Sequence, residues 1–285
     1  MTQLFRSLIF VPANNPRFLE KAKTLPVDIV CFDLEDSVPE QQKKNARKLI
    51  KKALKERNQY YSSVYARTNS PLSGKIPEDL QEIVQKGIDG IVIPKVNAIE
   101  ELKKIEKTLS SIEKKRNLKP VEIMPSIESA KGVINAYSIA SYSNRISALV
   151  FGVFDFLNDM EIEYAKQPKG AKYARAKISV DAKAAGVLAI DAIWQDLKDE
   201  KGLKNDCYIG KRLGYVGKSI IHPDQIKIIH KIFHPNKTEI EWAAKVCKAY
   251  LKSSEKGRGA TIVDEKMIDE VHYKRARALL ELTKT

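Results

Sequence analysis

Apolar residues along the chain fall into short continuous runs, separated by longer stretches in which they recur at helical spacing. RSLIFVP (6–12), DIVCFDLED (28–36), SSVYARTN (62–69) and GIVIPKV (90–96) are four such runs. EIMPSIES (122–129), ISALVFGVFDF (146–156), AIDAIW (189–194) and GYVGKSIIHP (214–223) are four more. Runs of this length, bounded by turn residues, read as parallel strands buried on both faces. Between them, Ala46, Leu49, Ile50, Ala53 and Leu54 form one helical stripe, and Leu102, Ile105, Leu109 and Ile112 another. Ser37 with Glu40, and Asn97 with Glu100, have capping-box spacing, with Pro39 in the first turn of the earlier helix. Residues 15–24, 77–86, 130–142, 173–188, 195–212 and 224–233 read as the other helices, and 158–172 as a long polar loop.

Eight strands alternating with helices is the count of a closed (β/α)8 TIM barrel, assigned to residues 1–235. The remaining C-terminal stretch exceeds what a barrel needs. A helix over 238–254, a break at SSEKGRGA, a strand-like ATIVDEKM and a terminal helix make residues 236–285 a C-terminal helical lid and oligomerisation extension.

Composition narrows the partners. No stretch of about 18 apolar residues occurs, so no membrane helix is expected, and MTQLFRSLIFVP reads as a first strand rather than a signal peptide. Three cysteines without metal-like spacing suit a reducing cytoplasm. The net charge of +14 suggests nucleic acid. However, the lysines are scattered over many helices without interleaved aromatics, so they read as solvated faces that also favour a phosphorylated small molecule.

A barrel places its site at the C-terminal ends of its strands. The polar residues there are Asp33, Glu35, Asp36, Arg67, Asn69, Lys95, Glu128, Asp155, Asp191 and His222. Glu128 and Asp155 end consecutive runs, so as neighbours they would share one site. Two adjacent carboxylates repel unless a hard cation such as Mg2+ joins them, and Mg2+ commonly takes one or two carboxylates. The other reading is two strand-end acids bonded to backbone amides, and spacing does not choose between them. Arg67 suits a substrate carboxylate, or an ion pair with Glu35 or Asp36, or both. Lys95 raises a Schiff-base alternative, which its acidic neighbours oppose by raising its pKa.

RSLIFVPANNPRFLEKA, DLEDSVPEQQKKNAR, YARTN, IPKV, MPSIES, FGVFDFLNDM, AIDAI, GKSIIHPDQ and DEKMID, in that order, resemble the citrate lyase β-subunit-like family of malyl-CoA, citramalyl-CoA and citryl-CoA lyases. The resemblance spans essentially the whole chain. It implies a TIM barrel, homotrimeric or hexameric, that uses Mg2+ (or Mn2+) to cleave or form a carbon–carbon bond in a 3-hydroxyacyl-CoA thioester, with a 2-oxo acid as the other product. Carried over by motif, Glu128 and Asp155 are the metal ligands, with Asp159 behind them. Arg67 binds the oxo acid and stabilises the enolate. Asp33, Glu35 and Asp36 order metal-bound water and Arg67. Arg6 and the stretch Lys218, Ser219, Ile220, Ile221, His222 and Pro223 are site-wall and thioester contacts, and Asp269 is an acid/base placed over a neighbouring subunit. PANNP, Glu265 and the loop 161–170 depart from the family pattern. A citrate lyase β-subunit acting in a complex, a malyl-CoA thioesterase and a non-enzymatic basic scaffold are the alternatives.

Overall fold

The computed structural model describes residues 5–165, 168–281 and 283. Its strands are β1 Ser7–Pro12, β2 Ile29–Asp33, β3 Ser63–Arg67, β4 Gly90–Ile93, β5 Glu122–Ile127, β6 Ala148–Phe151, β7 Leu188–Asp191 and β8 Gly217–Ile220. All pair in parallel in chain order, and β8 closes on β1, so the fold is a (β/α)8 TIM barrel. Each strand is shorter than its apolar run. The polar ends of the runs, such as Glu35, Asp36 and Lys95, leave the ladder and form the loops at the barrel mouth.

The barrel floor is filled. Phe5, Leu8, Ile29, Cys31, Tyr65, Val92, Met124, Ala148, Val150 and Ile190 pack together, and the Tyr65 hydroxyl donates to Glu122 Oε2 at 2.5 Å. Outside the barrel, Ala46, Ile50, Ala53 and Leu54 are buried on the helix Lys43–Lys55. Leu102, Ile105, Leu109 and Ile112 are buried on Ile99–Arg116. Both sets follow the helical spacing.

Neither expected capping box forms as paired. Ser37 donates to Asp33 instead, and a 3-10 turn, Glu40–Gln42, precedes the helix at Lys43. The later helix starts at Ile99, so the residue three positions in is Glu101 rather than Glu100. Glu101 accepts the Asn97 N–H at 2.7 Å and the Ala98 N–H at 3.3 Å. The sixth run also divides. After Phe151 the chain turns at Gly152 into the helix Val153–Asp159, which shortens the expected polar loop.

Behind β7 and β8 lies a buried ionic quartet. Lys218 Nζ is 3.1 Å from Asp191 and 2.5 Å from Asp206. Arg175 pairs with Asp191 and lies 2.8 Å from Asp206. Lys218 and Asp191 are wholly buried, and two cations balance two anions.

Two compact units make up the chain: Phe5–His230, and the segment from Lys231 onward. The second is not purely helical. The helices Lys237–Ser254 and Glu270–Glu281 flank a hairpin of β9 Ala260–Val263 and β10 Lys266–Asp269. Ala243, Val246, Val263, Ile268 and Ala276 form its core. The hairpin turns through Asp264 and Glu265, both left-handed (φ 47° and 62°). That geometry favours glycine at such positions, so Glu265 takes it up with a side chain that opposes it.

Lys218→Met should test the quartet. Removing one partner of a buried ion pair leaves an uncompensated charge, so unfolding free energy should fall by about 3–5 kcal/mol. Urea denaturation measures this directly.

Candidate active site

At the barrel mouth the sheet delivers Asp33 and Arg67 side by side, because β2 and β3 pair Asp33 with Arg67 in register. The two form a bidentate ion pair, with Nε to Oδ1 at 2.6 Å and Nη2 to Oδ2 at 2.7 Å. Asp33 also accepts the Glu35 N–H at 2.9 Å and the Ser37 hydroxyl at 2.5 Å. Burial alone would raise the Asp33 carboxyl, but the charge and hydrogen bonds of Arg67 outweigh it and hold the pKa below the ordinary value. Arg67 Nη1 lies 3.0 Å from Glu35 Oε2, and its guanidinium stacks 4.6 Å from the centre of the Phe10 ring.

Glu128 follows β5 and Asp155 lies in the first turn of Val153–Asp159. Asp155 is therefore a helix residue, not a strand end. Both line one cavity of about 580 Å3, with Asp33, Asp36, Arg67, Ser126 and Ser219. Gly152 makes this approach possible, since a Cβ there would lie 2.6 Å from Glu128 Oε2. Burial first, then the Asp155 charge, push the Glu128 carboxyl up to about 8.

Lys95 joins the two halves of the cluster. Its backbone is left-handed (φ 54°), and its N–H donates to Glu128 Oε1 at 2.8 Å. Its ammonium lies 2.9 Å from Glu35, 3.3 Å from Asp36 and 3.4 Å from Asp155. The two contacts to Glu35, from Arg67 and Lys95, are ion pairs outside hydrogen-bond angles. Burial lowers the Lys95 pKa, but Glu35, Asp155 and Asp36 outweigh it and hold the ammonium charged. That opposes a Schiff-base role, which needs a neutral amine.

Other expected site residues lie elsewhere. Arg6 is a correction: it precedes β1 and grips Asp28, just before β2, through Nε at 2.9 Å and Nη2 at 2.7 Å. Both lie at the N-terminal end of the barrel, opposite the mouth. Lys218 is a second correction, because its side chain faces outward into the quartet while Ser219 lines the cavity. Asp191 belongs to that quartet as well. His222 borders a separate cavity of about 100 Å3 with Asp199, Glu200 and Asp224. Pro223 accepts the Ile226 N–H at the start of the following helix. Asp159 accepts the Ala130 N–H at 2.7 Å. Asp269 lies in the other unit, where it accepts the N–H groups of Val271 and His272 and the ring of His272 sits at 2.6 Å.

Several supporting residues escape a reading of the sequence. Lys43 Nζ donates to the carbonyls of Leu34 at 2.9 Å and Glu35 at 3.1 Å, and to the Asn69 side chain. Arg47 holds Asp79 at 2.7 Å, and Asp79 accepts both the backbone and side-chain N–H of Asn69. Lys43 and Arg47 thus fix the loops that come after β2 and β3. Both stand in the DLEDSVPEQQKKNAR stretch that carries the resemblance, but for their bracing role the signal is faint, two cations on a helix otherwise rich in lysines. Gly152 has a clearer signal, a glycine interrupting a buried apolar run.

A closed barrel carrying its clustered acids and one arginine at the C-terminal ends of the strands is the architecture of a TIM-barrel enzyme. Residues 6–223 match the HpcH/HpaI aldolase/citrate lyase family, and the chain belongs to that family and is a lyase. It is 33% identical over 282 residues to the citrate lyase subunit beta of Leuconostoc mesenteroides subsp. cremoris, covering 98% of this chain and 93% of the relative. It is 30% identical to the (3S)-malyl-CoA thioesterase of Cereibacter sphaeroides, covering 97% and 93%. The mitochondrial citramalyl-CoA lyase of Rattus norvegicus is 32% identical, covering 97% and 85%. Among solved structures, CitE from Mycobacterium tuberculosis, in complex with magnesium, acetoacetate and coenzyme A, has the same fold, with a TM-score of 0.80 at 23% identity over the full length of both chains. Among the described residues, no helix is long and apolar enough to cross a membrane.

The shift at Glu128 sets a pH dependence. An unfolded glutamate titrates near about 4.3, whereas in the fold Glu128 titrates at about 8. Its contribution to stability is fully present below the unfolded value and is lost as pH rises through the folded one. Metal-free protein should therefore lose melting temperature between about pH 5 and pH 8. Glu128→Gln, which keeps the neutral form, should remove much of that loss in a melting series across this range.

Proposed function

We propose that the protein is a Mg2+-dependent carbon–carbon lyase acting on a 3-hydroxyacyl-CoA thioester such as malyl-CoA or citramalyl-CoA. It would release, or join, a 2-oxo acid and an acyl-CoA. The observation that carries this reading is the placing of two carboxylates, buried Glu128 and Asp155, with Arg67 around one cavity at the barrel mouth.

The donor set fits a hard divalent ion. Among the described residues no three His, Cys, Asp or Glu side chains converge as a metal cage. Mg2+ does not require one, since it keeps several positions for water and substrate oxygens. Glu128 and Asp155 would hold Mg2+, or Mn2+ in its place, and when bound it supplies Lewis-acid polarisation of the substrate's oxygen.

The chain's own residues do the rest. Arg67 has five N–H donors, of which Asp33 takes two as hydrogen bonds while Glu35 pairs with the guanidinium by charge. The remaining donors face a substrate carboxylate and oppose the negative charge that develops on bond cleavage. Because Asp33 and Glu35 already hold the guanidinium, no reorganisation is needed at the moment of reaction. Asp36 orders the mouth through Lys95. In this reading Asp269 of a neighbouring protomer protonates the thioester enolate, the protein is a homotrimer, and it works in the cytoplasm.

Two relatives support alternative readings. The match to the citrate lyase subunit beta supports action on citryl thioesters within a larger complex. The match to the malyl-CoA thioesterase supports hydrolysis. Products separate them, since hydrolysis gives malate and free CoA while cleavage gives a 2-oxo acid and an acyl-CoA.

Malyl-, citramalyl- and citryl-CoA incubated with Mg2+ should yield a 2-oxo acid from at least one of them. EDTA should abolish this reversibly, and Glu128→Ala should abolish it in a folded protein. Full turnover without metal would refute the reading. Asp269→Ala distinguishes acid from cap. Loss of a helix cap costs about 1 kcal/mol of stability and little activity, whereas loss of the acid should cut turnover at least about a hundredfold.

A further inference from the structure

Beyond its pairing with Asp36 the proposed reaction gives Lys95 no role, yet its side chain reaches into the acid cluster. Its ammonium lies at 2.9 Å from Glu35, 3.3 Å from Asp36 and 3.4 Å from Asp155. Its backbone N–H is bonded to Glu128 at 2.8 Å. One residue therefore touches both expected metal ligands, by two different groups. The backbone contact depends on a left-handed conformation, φ 54°, that L-residues other than asparagine and aspartate seldom adopt. The side chain is one-third exposed and could turn outward to water, but it lies among carboxylates.

We propose that Lys95 is a positioning residue that acts as a tethered counter-cation. It holds Asp155 when the metal is absent and yields it when the metal arrives, and so sets the affinity of the site for a divalent ion. The proposal rests on the reading that Glu128 and Asp155 take the metal, and not on which thioester is cleaved. Two effects give it a sign. An ammonium at 3.4 Å from Asp155 competes for that oxygen and repels an incoming cation. Removing it also takes one cation from Glu35, which keeps only Arg67, and from Asp36, which makes the cluster more negative.

The test is isothermal titration of Mg2+ into metal-free protein, repeated with Mn2+ monitored by the spin resonance of the free ion. Lys95→Gln removes the charge. Lys95→Asn does the same with a residue suited to the left-handed backbone, and so serves if the glutamine variant folds poorly. Both should bind metal at least about tenfold more tightly than wild type, while Lys95→Arg should stay close to wild type. A purely structural lysine would lower the melting temperature and leave the dissociation constant alone. Affinity within twofold of wild type, or weaker, in a folded variant would overturn the counter-cation role. Wild type that binds neither ion would overturn the metal reading and this inference with it.

Discussion

Charge balance in a small, half-dry space governs the barrel mouth. Five carboxylates, those of Asp33, Glu35, Asp36, Glu128 and Asp155, face two side-chain cations, Arg67 and Lys95. The acids do not share these cations equally. Asp33 has the bidentate hold on Arg67 and stays ionised. For Glu35, burial outweighs Arg67 and Lys95, and its pKa rises. Glu128 is worst placed, with Asp155 alongside and a single backbone N–H as its closest support. The unmet demand for positive charge is thus greatest at one carboxyl, and a cation supplied from solution is the ordinary remedy.

Precision at the mouth comes from residues that never face the cavity. Lys43 and Arg47 stand on a helix outside the barrel and hold the loops after β2 and β3 from behind. Asp79 completes the brace by gripping Asn69. Groups whose rotamers are fixed in this way can meet a substrate without first being ordered, which is what electrostatic stabilisation in a site requires.

The barrel is legible because parallel strands covered on both faces must be apolar without interruption, and eight such runs stand out between amphipathic helices. Asp33, Arg67 and Glu128 are legible for a related reason, as polar groups that end runs otherwise committed to the core. The errors share one cause, which is that composition does not reveal direction. Lys218 and Ser219 are adjacent, yet the pleat sends one into the outer layer and the other to the cavity. Arg6 begins its run instead of ending it, so it lies at the floor. Asp155 reads as a strand residue because VFDF is as apolar as the strand before it, and only Gly152 marks the turn into a helix. Lys95 draws notice as a nucleophile, but its left-handed backbone, and hence its link to Glu128, obeys no pattern in sequence.

The packed floor has a kinetic consequence. Phe5, Leu8, Tyr65 and Met124 stopper the barrel below the site, and the Tyr65–Glu122 hydrogen bond ties the stopper to the wall. The barrel axis is closed at that level, so whatever binds over Arg67 and Glu128 enters and leaves by the mouth alone. Anything bound over these groups therefore shares a single passage with whatever replaces it, so release at the mouth has to precede the next entry.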